Sequence, residues 1–179
     1  MNLLQPYVQK NAKGYQSMRA KSNHIFEYYA FEEEPAAQPI NAVPDGCVDL
    51  LYAIGENDVR CFLGGTVLKM KYWPFEKNRM YFGIRFQPGQ CILPDGVSIG
   101  DIINTDIEIP STAYGADIDE ALSHTESMKE RAAMIHKVLW DARQTQSSPN
   151  SKEGIEAYIR NRIYETKGTV SINEISQDT

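Results

Sequence analysis

The sequence has few of the residues that metal-dependent chemistry requires. It contains three histidines, His24, His124 and His136, and no H-x-H or H-x-x-x-H pattern. Metal-dependent β-barrel enzymes bring two or three histidines and a carboxylate together from their strands. His124 and His136 lie in a stretch with helical periodicity, away from the strand-like part of the chain. We therefore expect no metal and no other cofactor.

Other features are also scarce. The three cysteines, Cys47, Cys61 and Cys91, are odd in number and form no C-x-x-C pair, which indicates reduced thiols in a cytoplasm. The N-terminal residues lack the basic region and apolar run of a signal peptide. No apolar run approaches the roughly 20 residues of a membrane span. With 18 Lys and Arg against 24 Asp and Glu, the net charge of -6 argues against specific DNA or RNA binding by these residues alone and against a polybasic membrane role.

Signals for catalysis are weak as well. There is no G-x-S-x-G elbow, and the Gly64-Gly65 pair is followed by strand-like residues rather than by a helix that could hold a phosphate. Cys47 stands between Asp45 and Asp49, whose charges disfavour the thiolate that nucleophilic catalysis needs. We expect a protein that is not an enzyme.

What the sequence does contain is a series of short strand-like runs from about Asn23 to Tyr114, separated by turns that include Pro-Asp-Gly at 44–46 and again at 94–96. Proline presets its own backbone angle and glycine tolerates the next one, so both are turn signals. Short strands at regular spacing favour a sandwich or barrel. We predict a β-domain over 1–115, a helical segment over 116–146, a polar linker at 147–150 and a further helical segment over 151–179.

The last thirty residues read as one complete helix and the start of another. Lys167 and Gly168 end the first helix as a C-terminal cation and a C′ glycine, and Ser171 with Glu174 forms a capping box before the apolar Ile172 and Ile175. This stretch resembles the beginning of the DNA-binding domain of AraC-type transcription regulators. The resemblance implies that the supporting helix of a helix-turn-helix is present and that the recognition helix is missing from these residues.

The β-rich part carries a second resemblance. Its segments EYYAF, VPDGCVDLLY and YFGIRFQPG look like a sensor-domain type found ahead of AraC-type DNA-binding domains in bacteria. The resemblance implies a mainly β fold, a cupin-like double-stranded β-helix barrel or sandwich followed by C-terminal α-helices. It further implies a small-molecule effector of unknown identity, a homodimer, and contact with promoter DNA only through the missing C-terminal part.

Two charges stand inside apolar strands. Strand alternation places Asp49 with Leu51 on one face of its strand and Arg85 with Tyr81 on one face of another. Asp49 and Arg85 either satisfy each other as a structural pair, or Arg85 holds an anionic or polar effector, or it faces outward. Aromatic side chains could line such a site or simply fill the core. The candidate ligand-binding residues are Arg85, Asp49, Tyr28, Trp73 and Tyr81.

The helix from about Glu126 to Arg143 has an apolar face that either packs on the β-domain or pairs with a second subunit. The candidate dimer-interface residues are Met128, Arg131, Ile135, Val138 and Leu139. Together these features predict the effector-sensing and dimerisation region of a cytoplasmic AraC-type regulator without its recognition helix. The alternative is a stand-alone, non-catalytic, small-molecule-binding protein of cupin-like fold.

Overall fold

The structure, a computed structural model, describes residues 13–32, 40–73, 75–146 and 151–178, with side chains for 14–32, 42–73, 75–144 and 158–177. The predicted linker at 147–150 and the N-terminal residues 1–12 lie outside these ranges. Short 3₁₀ turns occur at Ile99–Ile102 and Ser111–Tyr114. The strands are β1 Lys13–Arg19, β2 Ile25–Glu32, β3 Ile40–Ala42, β4 Asp49–Ile54, β5 Val59–Gly64, β6 Lys71–Trp73, β7 Met80–Phe86 and β8 Asp106–Ile109. The helices are α1 Asp119–His124, α2 Met128–Gln146, α3 Ser151–Glu165 and α4 Ile172–Asp178.

Six strands form one antiparallel sheet in the order β1-β2-β7-β4-β5-β8, and β3 pairs with β6 in a separate two-stranded sheet. The predicted mainly β fold with C-terminal helices is confirmed in this coarse form. A barrel requires its two edge strands to pair with each other. In the described part of the chain β1 and β8 remain edges, so the sheet is open and the cupin-like barrel is not confirmed.

The central strand β4 explains the nearly continuous apolar run in its sequence. All six of its residues are buried, because both faces of the sheet are covered at this position. Leu50, Tyr52 and Ile54 belong to the larger core on one face, whereas Leu51 and Ala53 belong to a smaller cluster on the other. We call these the helix face and the aromatic face of the sheet.

The helix face is covered by α1 and α2. Leu122, Ile135 and Leu139 are at most 1% exposed and pack in the same core as β4 and β7. Fully burying one aliphatic side chain contributes about 1.5–3 kcal/mol, so these contacts fix the two helices on the sheet. The predicted helical segment is divided at residues 125–127. Ser127 caps the start of α2, because its Oγ accepts the N–H of Glu130 at 3.4 Å while its carbonyl accepts the first helical hydrogen bond, from the Arg131 N–H.

The apolar face of α2 packs on the sheet of its own chain. All five candidate interface residues lie against this sheet, two of them with essentially no exposed surface. Met128 and Val138 are only partly buried. A homodimer and its interface therefore stay predictions. The five are Met128, Arg131, Ile135, Val138 and Leu139.

The chain divides into two compact units, Met1–Ala142 and Arg143–Thr179. In the second unit, α3 ends with Lys167 and Gly168 both in the left-handed region, and their N–H groups reach the carbonyls of Tyr164 and Ile163. This is a Schellman motif whose C′ residue is Lys167, one position before the glycine that we predicted there. The predicted capping box is present: the Ser171 N–H donates to Glu174, and the Glu174 N–H donates to Ser171 Oγ.

Among the helices of the described ranges, none combines the length and the apolar character that crossing a bilayer requires.

We predict that Ile135→Ala lowers the free energy of unfolding of the first unit by about 3 kcal/mol, because the substitution leaves a cavity in a core that is closed on all sides. Trp140→Ala is the matched control on the same helix, since Trp140 is 52% exposed and the substitution should cost much less. Urea denaturation followed by far-UV circular dichroism measures both. Equal losses for the two variants would contradict the packing of α2 on the sheet.

Candidate functional site

The aromatic face carries a row of charged residues that are direct partners across four strands. Arg19 of β1 pairs with Glu27 of β2, Glu27 with Arg85 of β7, and Arg85 with Asp49 of β4. Residues directly opposite each other in antiparallel strands point to the same face. The four side chains therefore form a ladder of alternating sign across the sheet.

Arg85 is the most heavily bonded member of this ladder. Its Nε and Nη2 donate to the two carboxylate oxygens of Asp49 at 2.9 and 2.8 Å, and its Nη1 donates to Asp45 Oδ2 at 2.9 Å. The hydroxyl of Tyr29 donates to Asp49 Oδ1 at 3.2 Å. Of the three alternatives for Asp49 and Arg85, the structure shows the ion pair. We refer to Arg85, Asp49 and Asp45 as the clasp.

The clasp is largely withdrawn from water. The side chains of Arg85, Asp49 and Asp45 are 15%, 11% and 20% exposed. Burial by itself lowers the pKa of Arg85, but the charge and the hydrogen bonds of Asp49 outweigh it, and the pKa is raised. A bidentate, charge-assisted geometry of this kind offsets the cost of desolvating the two ions.

Asp45 connects the clasp to the Pro-Asp-Gly turn. Its Oδ1 accepts the N–H of Cys47 at 2.9 Å while its other oxygen receives Arg85. Gly46 has a φ of 73°, a left-handed conformation that glycine adopts without strain. The two segments that carry the family resemblance, VPDGCVDLLY and YFGIRFQPG, are thus joined in space by one guanidinium group.

Two glycines allow aromatic rings to approach the backbone of the sheet closely. A Cβ atom on Gly83 would overlap the ring of Tyr29, and a Cβ atom on Gly64 would overlap the ring of Trp73. Gly83 lies opposite Tyr29 in register, so the tyrosine crosses β7 to reach Asp49 on β4. The absence of a side chain at position 83 is what brings the Tyr29 hydroxyl to the clasp.

Aromatic rings fill the rest of this face. Phe31 stacks on Tyr81 at 5.2 Å between ring centroids, and Phe75 meets Tyr81 edge to face at 4.8 Å. Trp73 stacks on Phe75 at 5.6 Å. Phe31 and Tyr81 are buried, whereas Trp73 and Phe75 are half-buried at the border of the cluster. Phe31 and Tyr81 are therefore core, and the partly accessible surface lies around Trp73 and Phe75.

The structure brings together four of the five candidate ligand-binding residues. Arg85, Asp49, Tyr81 and Trp73 all belong to the aromatic face. Tyr28 does not, because it neighbours Tyr29 on β2 and so points to the helix face, where its hydroxyl lies 2.9 Å from His136 Nδ1.

Sequence reasoning did not assign roles in this site to three residues that the structure adds. They are Asp45, which completes the clasp, and Glu27 and Tyr15, which lie beside it. Alternation from Tyr29 could have indicated Glu27, since the two are separated by two positions in one strand. No local pattern links a turn residue such as Asp45 to a strand 40 residues further along the chain.

The environment of two cysteine thiols disfavours the reactive thiolate. Burial, and after it the charge of Asp45, raises the pKa of the Cys47 thiol to about 12. Burial raises the pKa of Cys61 to about 12 as well. The thiols are therefore protonated at neutral pH. Within the described ranges, no group of three or more His, Cys, Asp or Glu side chains is placed to hold a metal ion.

Comparisons of the chain with protein-family models, with curated proteins and with solved structures give no match in any of the three. The resemblance to AraC-type regulators therefore stays a prediction.

We predict that Arg85→Ala lowers the free energy of unfolding by about 3 kcal/mol, because it leaves two neighbouring carboxylates without their partner in a poorly solvated position. Asp49→Ala should also be destabilising, and the double variant should lose less than the sum of the two single losses. Chemical denaturation of all three variants gives this coupling. Arg60→Ala, which breaks the exposed ion pairs of this β5 residue with Glu76 and Glu108, is the control and should have a much smaller effect. Additive losses at 49 and 85 would contradict the clasp.

We predict that Glu27→Gln stabilises the protein at pH 7, by less than about 1 kcal/mol because the carboxylate is only half-buried. Burial raises the pKa of Glu27, and the opposing charges of Arg19 and Arg85 do not cancel this effect. The folded state therefore favours the protonated acid, and the stability contributed by Glu27 is present at low pH and lost as the pH rises through its folded pKa.

The advantage of the glutamine variant should accordingly disappear below roughly pH 4, where the acid is protonated in both states. Thermal denaturation between pH 3.5 and 7.5 measures this dependence. Glu56→Gln, in the exposed turn after β4, is the control and should show little difference across the range. Destabilisation by Glu27→Gln at pH 7 would show instead that the carboxylate is satisfied in the folded protein.

Proposed function

We propose that this chain is the effector-sensing region of a bacterial AraC-type transcription regulator. The β-rich unit would receive a small molecule on its aromatic face, and the helical unit would lead into the DNA-binding domain. The free thiols of Cys47, Cys61 and Cys91 suit a cytoplasmic location, where they would remain reduced. The proposal includes a homodimer.

The main support for the proposal comes from the second unit, in which one capped helix closely follows another. A helix ended by a Schellman motif is followed after a short connection by α4, whose start is fixed by the capping box of Ser171 and Glu174. Ile172, at the start of α4, is 83% exposed. An apolar side chain on a capped helix is suited to packing against a further helix, as the supporting helix of a helix-turn-helix does.

The aromatic face supports the sensing part of the proposal. It combines a polar cluster with half-buried rings, which is the usual composition of a small-molecule site. Trp73 of the two-stranded sheet lies over Gly64 of the large sheet, so β6 borders this face in the manner of a second layer. A cupin-like arrangement, in which a ligand lies between two layers, is consistent with this contact and remains part of the proposal.

A regulator of this kind works by an equilibrium between arrangements of its domains. A ligand shifts that equilibrium only to the extent that it binds one arrangement more tightly than the other. The alternative, a stand-alone small-molecule-binding protein, has the same first unit and differs in what the helical unit does. DNA binding therefore separates the two.

We expect residues 1–179 by themselves to show no sequence-specific DNA binding, because their net charge is -6 and no recognition helix follows α4 within them. The protein as its gene encodes it should bind a fragment from its own promoter region in preference to a scrambled fragment of equal length. Fluorescence anisotropy at two fixed salt concentrations measures both. If the complete protein shows no preference, or if its gene encodes nothing beyond residue 179, the regulator proposal is wrong and the stand-alone binder is favoured.

A further inference from the structure

The hydrogen bonds of Arg85 indicate which charge a ligand of the aromatic face can carry. Its three nitrogen atoms Nε, Nη1 and Nη2 each donate to a carboxylate oxygen of Asp49 or Asp45. A guanidinium used in this way cannot offer its planar fork to an incoming anion unless the clasp opens. An anion would also meet two carboxylates at this position. The anionic effector considered from the sequence is thus disfavoured on this face.

Glu27 differs from the other acids of the face. It lies opposite Arg85 in register and is half-buried, yet its carboxylate forms neither a hydrogen bond nor an ion pair with any residue of the described ranges. Asp49 and Asp45, by contrast, use both of their oxygens. Glu27 is therefore the carboxylate of this ladder that retains its capacity to accept hydrogen bonds.

Arg19 is the remaining cation near Glu27, and it is engaged elsewhere. Although the two residues are partners in register, the guanidinium of Arg19 lies over the ring of Phe26 with its central carbon 3.5 Å from the ring centroid. No ion pair joins it to Glu27. Its charge acts on the carboxylate only at longer range, and it does not offset the cost of burial.

Two tyrosines share the aromatic face with Glu27, since Tyr29 is two residues further along β2 and Tyr15 stacks on Tyr29. Tyr15 of β1 stacks on Tyr29 with 6.4 Å between the ring centroids and an angle of 23°. Tyr15 is half-buried, and its hydroxyl lies close enough to Glu27 for the charge of Glu27 to raise its pKa, although burial is the larger cause. The faces of such rings attract cations through their quadrupole.

We propose that Glu27, with the half-buried ring of Tyr15, receives the cationic end of a small ligand, such as a primary amine with an apolar body. The ammonium group would donate to the Glu27 carboxylate and lie against the ring of Tyr15, and the apolar body would extend over the aromatic face. This inference rests on the proposed sensing function and assigns the charge of its ligand. It gives a role to a half-buried carboxylate that no other side chain of the described ranges binds.

The test uses three probes of nearly equal size and different charge: phenethylamine, 2-phenylethanol and phenylacetate. Isothermal titration calorimetry with the intact 179-residue chain should show the tightest binding for phenethylamine. Glu27→Gln should weaken phenethylamine binding about tenfold, the effect of losing one charge-assisted hydrogen bond. Tyr15→Leu should weaken it roughly two- to fivefold, whereas Tyr15→Phe, which keeps the ring, should not.

Glu32→Gln is the matched control. It removes the same charge from the same strand, but position 32 differs from 27 by an odd number and so lies on the other face. Its affinity for phenethylamine should equal that of the wild type. Circular dichroism of every variant shows whether the fold is intact.

Binding of phenylacetate as tightly as phenethylamine, or amine binding that Glu27→Gln leaves unchanged, would overturn the cationic assignment while leaving a small-molecule site in place. Failure of all three probes to bind would overturn the assignment on this face. The DNA-binding result tests the regulator proposal separately, so the two failures can be told apart.

Discussion

The guanidinium of Arg85 joins parts of the chain that are distant in sequence, and the first unit depends on this connection. Arg85 lies on β7 and Asp49 on β4, while Asp45 belongs to the turn that precedes β4. Because successive residues of a strand point to opposite faces, a slip of β7 by one residue would move the charge of Arg85 into the apolar helix face. A poorly solvated ion pair contributes little net stability over an apolar pair of the same size. Its effect in this sheet is to allow only one register between β4 and β7.

Which residues share a face of the sheet could largely be predicted from the sequence, because the alternation of side chains along a strand is a local property. The period of two correctly placed Asp49 with Leu51, and Arg85 with Tyr81, on common faces. Tyr28 has the aromatic character of a site residue, but its position next to Tyr29 places it on the other face. Closure of the sheet could not be predicted in the same way. Whether edge strands meet depends on tilt and stagger summed over every strand, and no single segment encodes that sum.

The helices show the same division between local and distant information. The capping box at Ser171 and the stop at the end of α3 were predictable, with an error of one residue in the C′ position, because caps involve only neighbouring residues. The apolar face of α2 was also visible in the sequence. What covers that face was not, because Ile135 and Leu139 carry no information about whether their partner is the same chain or a second copy. In the structure their partner is the sheet.

The opposite orientation of Tyr28 and Tyr29 gives β2 a polar contact on each face of the sheet. These neighbours on β2 reach Asp49 on the aromatic face and His136 of α2 on the helix face. β2 is thus held by one side-chain contact on each side of the sheet. The two contacts belong to residues that share one peptide bond. The position of β2 is therefore fixed from both sides of the sheet at the same point along the strand.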